Sequence, residues 1–265
     1  MSSLDGDDEA PGVDTEGGGV SIGIDHRISP DMVVGLYGGY AHTDASFDES
    51  DADGSVDTYQ IGAYGSWASG PLHVDGLVSG AWQSYELTRS IDFLGRTAKS
   101  DYDGWGIGAS AQVGYDVALG SSAILEPMVG LDYVHLETDG FSESGADSVG
   151  LNVESGDFDS LKSSVGVRLT AQIDAGEGMV IVPTASIAWE HEFLVADGGF
   201  TASFEGSPNG TNFDIIGSDD EADAAVVSLG VALTSENMTA FVGYDGRITG
   251  DASSHQGTVG IRFGF

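Results

Sequence analysis

The histidines are the residues of this sequence that could act as general bases or metal ligands near neutral pH. There are six of them: His26, His42, His73, His135, His191 and His255. They are scattered along the chain, and none stands in the HExxH spacing that places two zinc ligands on one helix face. The sequence also has no GxSxG motif, which marks a serine nucleophile on a strand-to-helix turn. These patterns predict neither a catalytic residue nor a metal site.

An acidic segment from Glu49 to Gly54 has carboxylates at alternate positions, like the start of a calcium-binding loop. A loop of that kind requires a Glu at its twelfth position, where both carboxylate oxygens bind the ion. The twelfth position counted from Glu49 is Gln60, so the match fails. We interpret the segment as a solvated acidic loop and expect no cofactor.

Charge and composition exclude several functional classes. The chain has 265 residues, with 8 Lys and Arg against 43 Asp and Glu, which gives a formal net charge of −35. Nucleic acid is therefore not an expected partner, because phosphate binding needs clustered cations. The absence of Cys excludes disulfides and thiolate metal sites. No apolar run approaches the length of a transmembrane helix.

An alternation of apolar with small or polar side chains runs through most of the chain, and it is clearest in residues 257–265. Successive side chains of a strand point to opposite faces, so this segment has one apolar face and one small or charged face. The apolar face consists of Val259, Ile261, Phe263 and Phe265. Frequent Gly, 41 residues in all, also favours strands and turns over helices. The pattern predicts an all-β chain of about eleven strands.

Short turns and long polar segments alternate between these strands. The long segments are residues 44–57, 86–103, 137–160 and 194–222. This asymmetry places all short turns at one end of a barrel and all long loops at the other, as in outer-membrane barrels. Tyr and Trp recur near strand ends, where membrane-interface girdles lie. We therefore predict a transmembrane antiparallel β-barrel of the outer-membrane type, with the four long segments outside the cell.

From about residue 17 to residue 265 the sequence resembles the C-terminal β-domain, or translocator, of bacterial autotransporters, the type V secretion family. The stretches that carry the resemblance are GGVSIGIDHRI near the start, ILEPMVGLDYVHLETDGF at 124–141, DFDSLKSSVGVRL at 157–169, IVPTASIAWEHEF at 181–193 and the terminal AFVGYDGRITGDASSHQGTVGIRFGF. The resemblance implies a twelve-stranded barrel in the outer membrane of a Gram-negative bacterium, surrounded by its lipid. It also implies that the barrel exports an N-terminal passenger domain and has no enzyme activity of its own.

The sequence departs from that family at its beginning and in its charge. The family's barrel is preceded by a helix in the pore, and a Trp and a basic residue usually precede the strand that resembles GGVSIGID. Residues 1–16 contain none of these, so we expect them to be a disordered acidic remnant, with the barrel domain at 17–265 and one strand missing. In a closed eleven-stranded barrel, residues 20–25 would lie beside residues 259–265 in parallel register. Family members also usually carry more Lys and Arg.

If the apolar face points outward, ten charged side chains point into the lumen. They are Asp25, Arg27, Asp75, Glu126, Asp132, Arg168, Glu190, Asp245, Arg247 and Arg262. One interpretation is a hydrated, net-acidic pore that a passenger polypeptide crosses. The other is that the charges pair across the lumen and hold the shape of the barrel, which we favour for most of them.

The terminal strand has a second expected role through the resemblance. Ile261, Phe263 and Phe265 would form the signal by which the barrel-assembly machinery recognises the chain.

Two other functions fit parts of the pattern. A porin-like outer-membrane channel without a passenger would have the same strands and turns. A soluble acidic β-barrel that acts as a binding module would share the composition, whose mean hydropathy is −0.02. The strand-end aromatic residues and the alternating connection lengths favour the translocator.

Overall fold

The structure is a computed structural model that describes residues 1–4, 12–47, 52–194, 199–207, 211–215 and 221–264. Most of these residues lie in long β-strands. Twelve strands form the barrel: β1 (Ser2–Leu4), β2 (Val13–Ser29), β3 (Met32–Phe47), β4 (Ala52–Ser69), β5 (Leu72–Ile91), β6 (Arg96–Tyr115), β8 (Ala123–Thr138), β11 (Gly156–Ala171), β13 (Met179–Glu192), β16 (Asp223–Thr234), β17 (Met238–Ile248) and β18 (Ala252–Phe263). The shorter elements are β7 (Val117–Ala118), β9 (Phe141–Ser142), β10 (Leu151–Val153), β12 (Ile173–Gly176), β14 (Phe200–Phe204), β15 (Phe213–Ile215) and two 3-10 helices, Asp92–Leu94 and Asp147–Val149.

The twelve barrel strands close into a ring. Each is antiparallel to both of its neighbours, β8 pairs with β11, and β1 lies between β18 and β2. Between β18 and β2 the described closure is Ser2–Leu4, which pairs with three residues of each neighbour. At the other strand interfaces long ladders satisfy the main chain, as a sheet surrounded by hydrocarbon requires. The prediction of an all-β antiparallel barrel is confirmed.

The expected count of eleven strands is wrong, because Ser2–Leu4 forms a twelfth strand. Leu4 pairs with Val13 of β2 and with Ala252 of β18, and both pairings are antiparallel. Met1 extends the pairing through two main-chain hydrogen bonds with His255. The expected parallel closure is also wrong, since no ladder joins residues 20–25 to the described part of the terminal strand.

The expectation that residues 1–16 are disordered is wrong wherever the structure describes them. Ser2–Leu4 is a strand, and β2 begins at Val13 rather than near Gly17. Residues 5–11 lie outside the described ranges. The expectation was based on the low apolar content of the segment. These residues are instead held by main-chain hydrogen bonds to a barrel edge, which do not depend on the side chain.

The connections differ in length at the two ends of the barrel, as predicted. At one end, the turn end, β4 and β5 are joined by a two-residue turn in which Gly70 has a positive φ of 60°. At the other, the loop end, the strands run further than expected. Most of the predicted loop 86–103 continues β5 and β6 as a hairpin, and only residues 92–95 form its turn. Polar strands that project beyond an apolar band lose the alternation by which strands are recognised in a sequence.

A second, four-stranded sheet covers part of the loop end. Its order is β15-β14-β10-β9, and it is built from the β8–β11 and β13–β16 connections. Arg89 of β5 holds this sheet through two hydrogen bonds to Glu143, of 3.0 and 2.5 Å. Beside this ion pair, Ile91, Ala98 and Ala146 are packed in a small buried cluster.

The outer wall of the barrel, meaning the face that points away from the lumen, is apolar and exposed. Ile22 and Val259 are each 82% exposed, and Ile61 is 74% exposed. In a water-soluble protein such side chains would lie inside, so their position indicates a hydrocarbon surrounding. Among the described residues, no helix is long and apolar enough to cross a membrane.

Candidate functional site

The lumen contains a buried ion pair between Glu126 and Arg168. The two residues are register partners on β8 and β11, so their side chains leave adjacent strands on the same face. Arg168 donates to both carboxylate oxygens of Glu126, at 3.4 and 3.2 Å. Glu126 is only 8% exposed, and it occupies the space left by Gly114 on β6. A buried carboxylate requires such a partner, because desolvation penalises an isolated charge.

A second group of lumen charges is centred on Glu190. Arg247 donates to Glu190 over 2.7 Å, although β16 lies between their strands. The long guanidinium side chain spans that strand, on which the register partner of Glu190 is Ala224, a small and buried residue. The ammonium group of Lys162 lies 3.9 Å from the same carboxylate, and Lys162 is the register partner of Asp132.

A third lumen pair joins the two strands that flank β1. Arg262 of β18 donates to Asp25 of β2 over 2.5 Å. Tyr64 donates to the other oxygen of Asp25 over 3.1 Å. Tyr64 reaches across β3 because the residue between them in register is Gly35, which has no side chain to block the ring.

The remaining predicted lumen residues are placed differently. Arg27 donates to the carbonyl of Pro30 at the turn end. Asp75 lines a lumen cavity of about 440 Å³ together with Asp132 and Arg168. Within the described ranges, neither Asp75 nor Asp245 is in an ion pair. Among the residues that it describes, the structure therefore brings six of the ten predicted residues into ion pairs.

Sequence reasoning missed two carboxylates that organise the loop end. Glu192 accepts hydrogen bonds from Ser160 at 2.5 Å, from the Leu161 amide at 2.8 Å and from the Leu194 amide at 3.0 Å. Glu143 receives the bidentate pair from Arg89 described above. Both stand near or within segments interpreted as polar loops, where one more acidic residue carries no signal. One sequence signal could have found Glu192: it lies two residues after Glu190, so the strand alternation of β13 places it on the same lumen face.

The histidines near the loop end lie on the outer wall in a repeated arrangement. In three places a strand carries an aromatic residue, a spacer and a His, and an Asp on the next strand contacts both rings. The three clusters are Tyr40, His42 and Asp57; Tyr133, His135 and Asp159; and Trp189, His191 and Asp223. Amphipathic rings of this kind suit the boundary between hydrocarbon and water.

The Lys and Arg side chains, unlike these histidines, mostly point into the lumen. Strand alternation points all six Arg and Lys162 toward the lumen side, and only Lys99, in the hairpin beyond the aromatic residues, points outward. Among the described residues, no three His, Asp or Glu side chains cluster closely enough to hold a metal ion. The arrangement is suited to a charged, hydrated passage inside an apolar wall.

Comparisons with known proteins place this geometry in a family. The model of the autotransporter β-domain matches residues 1–245. The extracellular serine protease of Serratia marcescens is 23% identical over 265 residues, which are 98% of this chain and 25% of that protein. Esterase EstA of Pseudomonas aeruginosa is 27% identical over 235 residues, which are 86% of this chain and 35% of that protein.

The fold is that of a solved translocator. The translocator domain of the autotransporter NalP from Neisseria meningitidis superimposes with a TM-score of 0.77 and 18% identity, covering all of this chain and 84% of that one. This chain spans about a quarter to a third of the length of the curated relatives named above. The predicted location and the translocator fold are confirmed, and the porin-like and soluble alternatives are not favoured. The chain belongs to the autotransporter β-domain family, whose barrels reside in the outer membrane of Gram-negative bacteria.

Proposed function

We propose that this barrel exports an N-terminal passenger polypeptide to the cell surface through its lumen. The observation that carries the proposal is the closed twelve-stranded ring with an apolar exposed outer wall and charge pairs on its inner wall. An extended polypeptide in transit has unpaired main-chain groups. A hydrated lumen satisfies them with water, whereas an apolar channel would not.

The predicted lumen residues have two roles in this proposal. The pairs Glu126–Arg168 and Glu190–Arg247 join strands across the inner wall and keep it rigid while a chain passes. Asp75 and Asp245 make the passage hydrated and net-negative, so that an empty lumen favours cations. The barrel itself catalyses no reaction; protease and esterase are names of the longer relatives, and we assign those activities to their passenger parts.

Fusion of a reporter passenger ahead of Met1 tests export. In intact cells, a protease added outside should digest the reporter and leave the barrel in the membrane. A matched fusion with Glu190 and Arg247 both changed to Gln should assemble but export more slowly, because the inner wall is less rigid. A reporter that stays protected on the inner side of a correctly assembled barrel contradicts the proposal.

We also propose that Ile261 and Phe263, with Phe265 beyond the described residues, are recognised by the barrel-assembly machinery. Ile261 is 62% and Phe263 is 66% exposed on the outer wall, so neither side chain is buried by the packing of the barrel and both can contact a partner. Deletion of Phe265, or Phe263→Ser, should lower the amount of barrel in the outer membrane several-fold. Val242→Ser, also on the exposed outer wall, is the control, and equal losses for both changes would count against a specific signal.

A further inference from the structure

A trough crosses the outer wall from β2 to β8. Its floor is one row of register partners on successive strands, formed by Val34, Gly65, Gly76, Ala111 and Leu131. Three of these five residues have a methyl group or no side chain. The open space of the trough measures about 810 Å³, and the next row lines it with the larger side chains of Leu36 and Val78 and the small ones of Ala63 and Ala109.

The dimensions of the trough match one leaflet of a membrane. It runs across five strand spacings, about 24 Å at about 4.8 Å each. The strands of such barrels tilt by about 40°, so a trough at right angles to them descends about 15 Å into the membrane. That depth is half of a hydrocarbon core about 30 Å thick.

The two ends of the trough lie at different heights along the barrel axis. The end on β8 is nearer the loop end, and it is polar. Leu131 is eight residues above the start of β8 at the turn end, whereas Val34 is two residues above the start of β3. The β8 end is therefore nearer the loop end, which we predict to lie outside the cell. There Tyr133 lines the trough and donates to Asp159 over 2.6 Å, and His135 Nδ1 lies 3.0 Å from the same carboxylate oxygen.

We propose that the trough binds one acyl chain of an outer-leaflet lipid, with the lipid headgroup at the Tyr133, His135 and Asp159 cluster. The trough is continuous with the outer wall, which lipid already covers, so an acyl chain is the occupant that its surroundings supply. A chain that lies in a groove contacts the protein on three sides rather than one. It therefore gains dispersion contacts that chains along the rest of the wall lack.

A second barrel fits the trough less well. The trough is narrow, only two register rows wide, and Leu36 and Val78 project from one of them, so a convex wall would rest on these side chains and leave the glycine floor empty. Empty space in an apolar contact forfeits dispersion energy. A polar cluster with a carboxylate, an imidazole and a phenol at one end also matches a lipid headgroup better than the apolar wall of another barrel.

The trough can be filled without disturbing the fold. A Cβ atom at Gly65 would lie 3.5 Å from its nearest neighbour, and one at Gly76 would lie 3.8 Å away, both ordinary contact distances. Gly65→Leu with Gly76→Leu should therefore assemble normally while occupying the floor. Ala185→Leu is the matched control, because Ala185 lies on the outer wall of β13, away from the trough.

Native mass spectrometry of the purified barrel in detergent tests the site. The probe is phosphatidylethanolamine with two 16-carbon chains, whose ammonium group suits the Asp159 carboxylate; it is added and then removed in bulk by gel filtration. The unchanged barrel and Ala185→Leu should each retain one lipid, and the filled variant should retain at least tenfold less. Heat-modified gel mobility verifies that all three are folded. Equal retention by the filled variant overturns the proposal, and so does a dimer that the filling dissociates.

Two further measurements locate the chain and the headgroup. Phosphatidylethanolamine with 6-carbon chains should not be retained, because such chains leave most of the trough empty. His135→Gln with Asp159→Asn should still retain the long chain but lose the preference for phosphatidylethanolamine over diacylglycerol with the same chains, because no carboxylate is left to pair with the ammonium group. Retention of the short-chain lipid, or an unchanged headgroup preference, contradicts the corresponding half of the assignment.

Discussion

Arg262 and Asp25 are 237 residues apart in the sequence and form an ion pair across the closure of the barrel. The strands that carry them, β18 and β2, flank β1, whose described pairing extends over only three residues of each. Between β1 and the turn end, this ion pair is the side-chain hydrogen bond that joins β18 to β2 among the described residues. The Arg262 side chain is 61% exposed, so water and salt weaken the attraction.

Asp25→Asn should therefore lower the unfolding temperature by only a few degrees, with a loss of about 1 kcal/mol or less. The effect should be largest at low ionic strength, because salt screens an exposed pair. Asp245→Asn is the control, since Asp245 is in no ion pair within the described ranges. Heat-modified gel mobility at two salt concentrations is the measurement, and a loss that does not respond to salt would speak against the ion pair.

Breaking the ion pair between Arg168 and Glu126 should lower the free energy of unfolding much more than breaking the pair between Arg262 and Asp25. Arg168→Gln leaves the buried Glu126 without a counter-charge, which costs about 3–5 kcal/mol in comparable cases. Replacement of both residues by Gln should recover most of the stability, because no isolated charge is left. Arg27→Gln, at an exposed carbonyl contact, should change the free energy of unfolding by about 0.5 kcal/mol or less. Denaturant unfolding in detergent compares the four proteins, and a double variant as unstable as Arg168→Gln would contradict the argument.

The two ends of the barrel should differ in access from outside the cell. A Cys introduced at Ser144 or Ser207, both at the loop end, should react on intact cells with a thiol reagent that cannot cross the membrane. A Cys at Ser121, in the turn between β6 and β8, should react only after the outer membrane is opened. The native chain has no Cys, so no background reaction interferes. Labelling of the Ser121 variant alone on intact cells would invert the orientation.

The loop end should lose stability at alkaline pH. Tyr85 stacks on Tyr102, which stacks on Phe141 of the small sheet, beyond the aromatic residues that mark the membrane boundary. Burial raises the pKa of Tyr85 from 10.0 to about 12. A raised pKa means that the folded state favours the neutral phenol, so the contribution is complete below pH 10 and is lost as the pH rises to about 12.

Tyr85→Phe tests this pH dependence, because Phe retains the stacking and cannot ionise. Protease resistance of the loop end should fall between pH 10 and pH 12 in the unchanged barrel and fall less in the variant. Tyr115→Phe, at the turn end, is the control. An identical pH profile for all three proteins would remove Tyr85 from the explanation.

The sequence was sufficient for the wall of the barrel and insufficient for its loop end and its closure. Val259, Ile261 and Phe263 alternate with small or charged residues because a strand in a membrane has one lipid face, and that period is visible without coordinates. Phe141–Ser142 of the small sheet is too short to show any period. Ser2–Leu4 is a strand because its main chain forms hydrogen bonds with the edges of β2 and β18. The side chains of these three residues do not indicate that pairing.

The candidate site divides in the same way. Alternation alone places Glu126 and Arg168 on the lumen face, but their pairing depends on strand register, which an isolated sequence does not supply. Arg247 and Glu190 are harder still, since they pair across an intervening strand. Glu192 was missed because its contacts are to main-chain amides at the edge of a loop.

The inward orientation of the permanent cations has a consequence for how these barrels share a membrane. The outer surface of each barrel is negatively charged on either side of an apolar wall. Mobile cations from the solution surround its acidic loops. The Debye length, over which these cations screen the charge, falls from about 10 Å at 0.1 M salt to about 3 Å at 1 M. Neighbouring barrels should therefore repel one another at low salt and approach more closely at high salt, so that the salt concentration sets the distance between them.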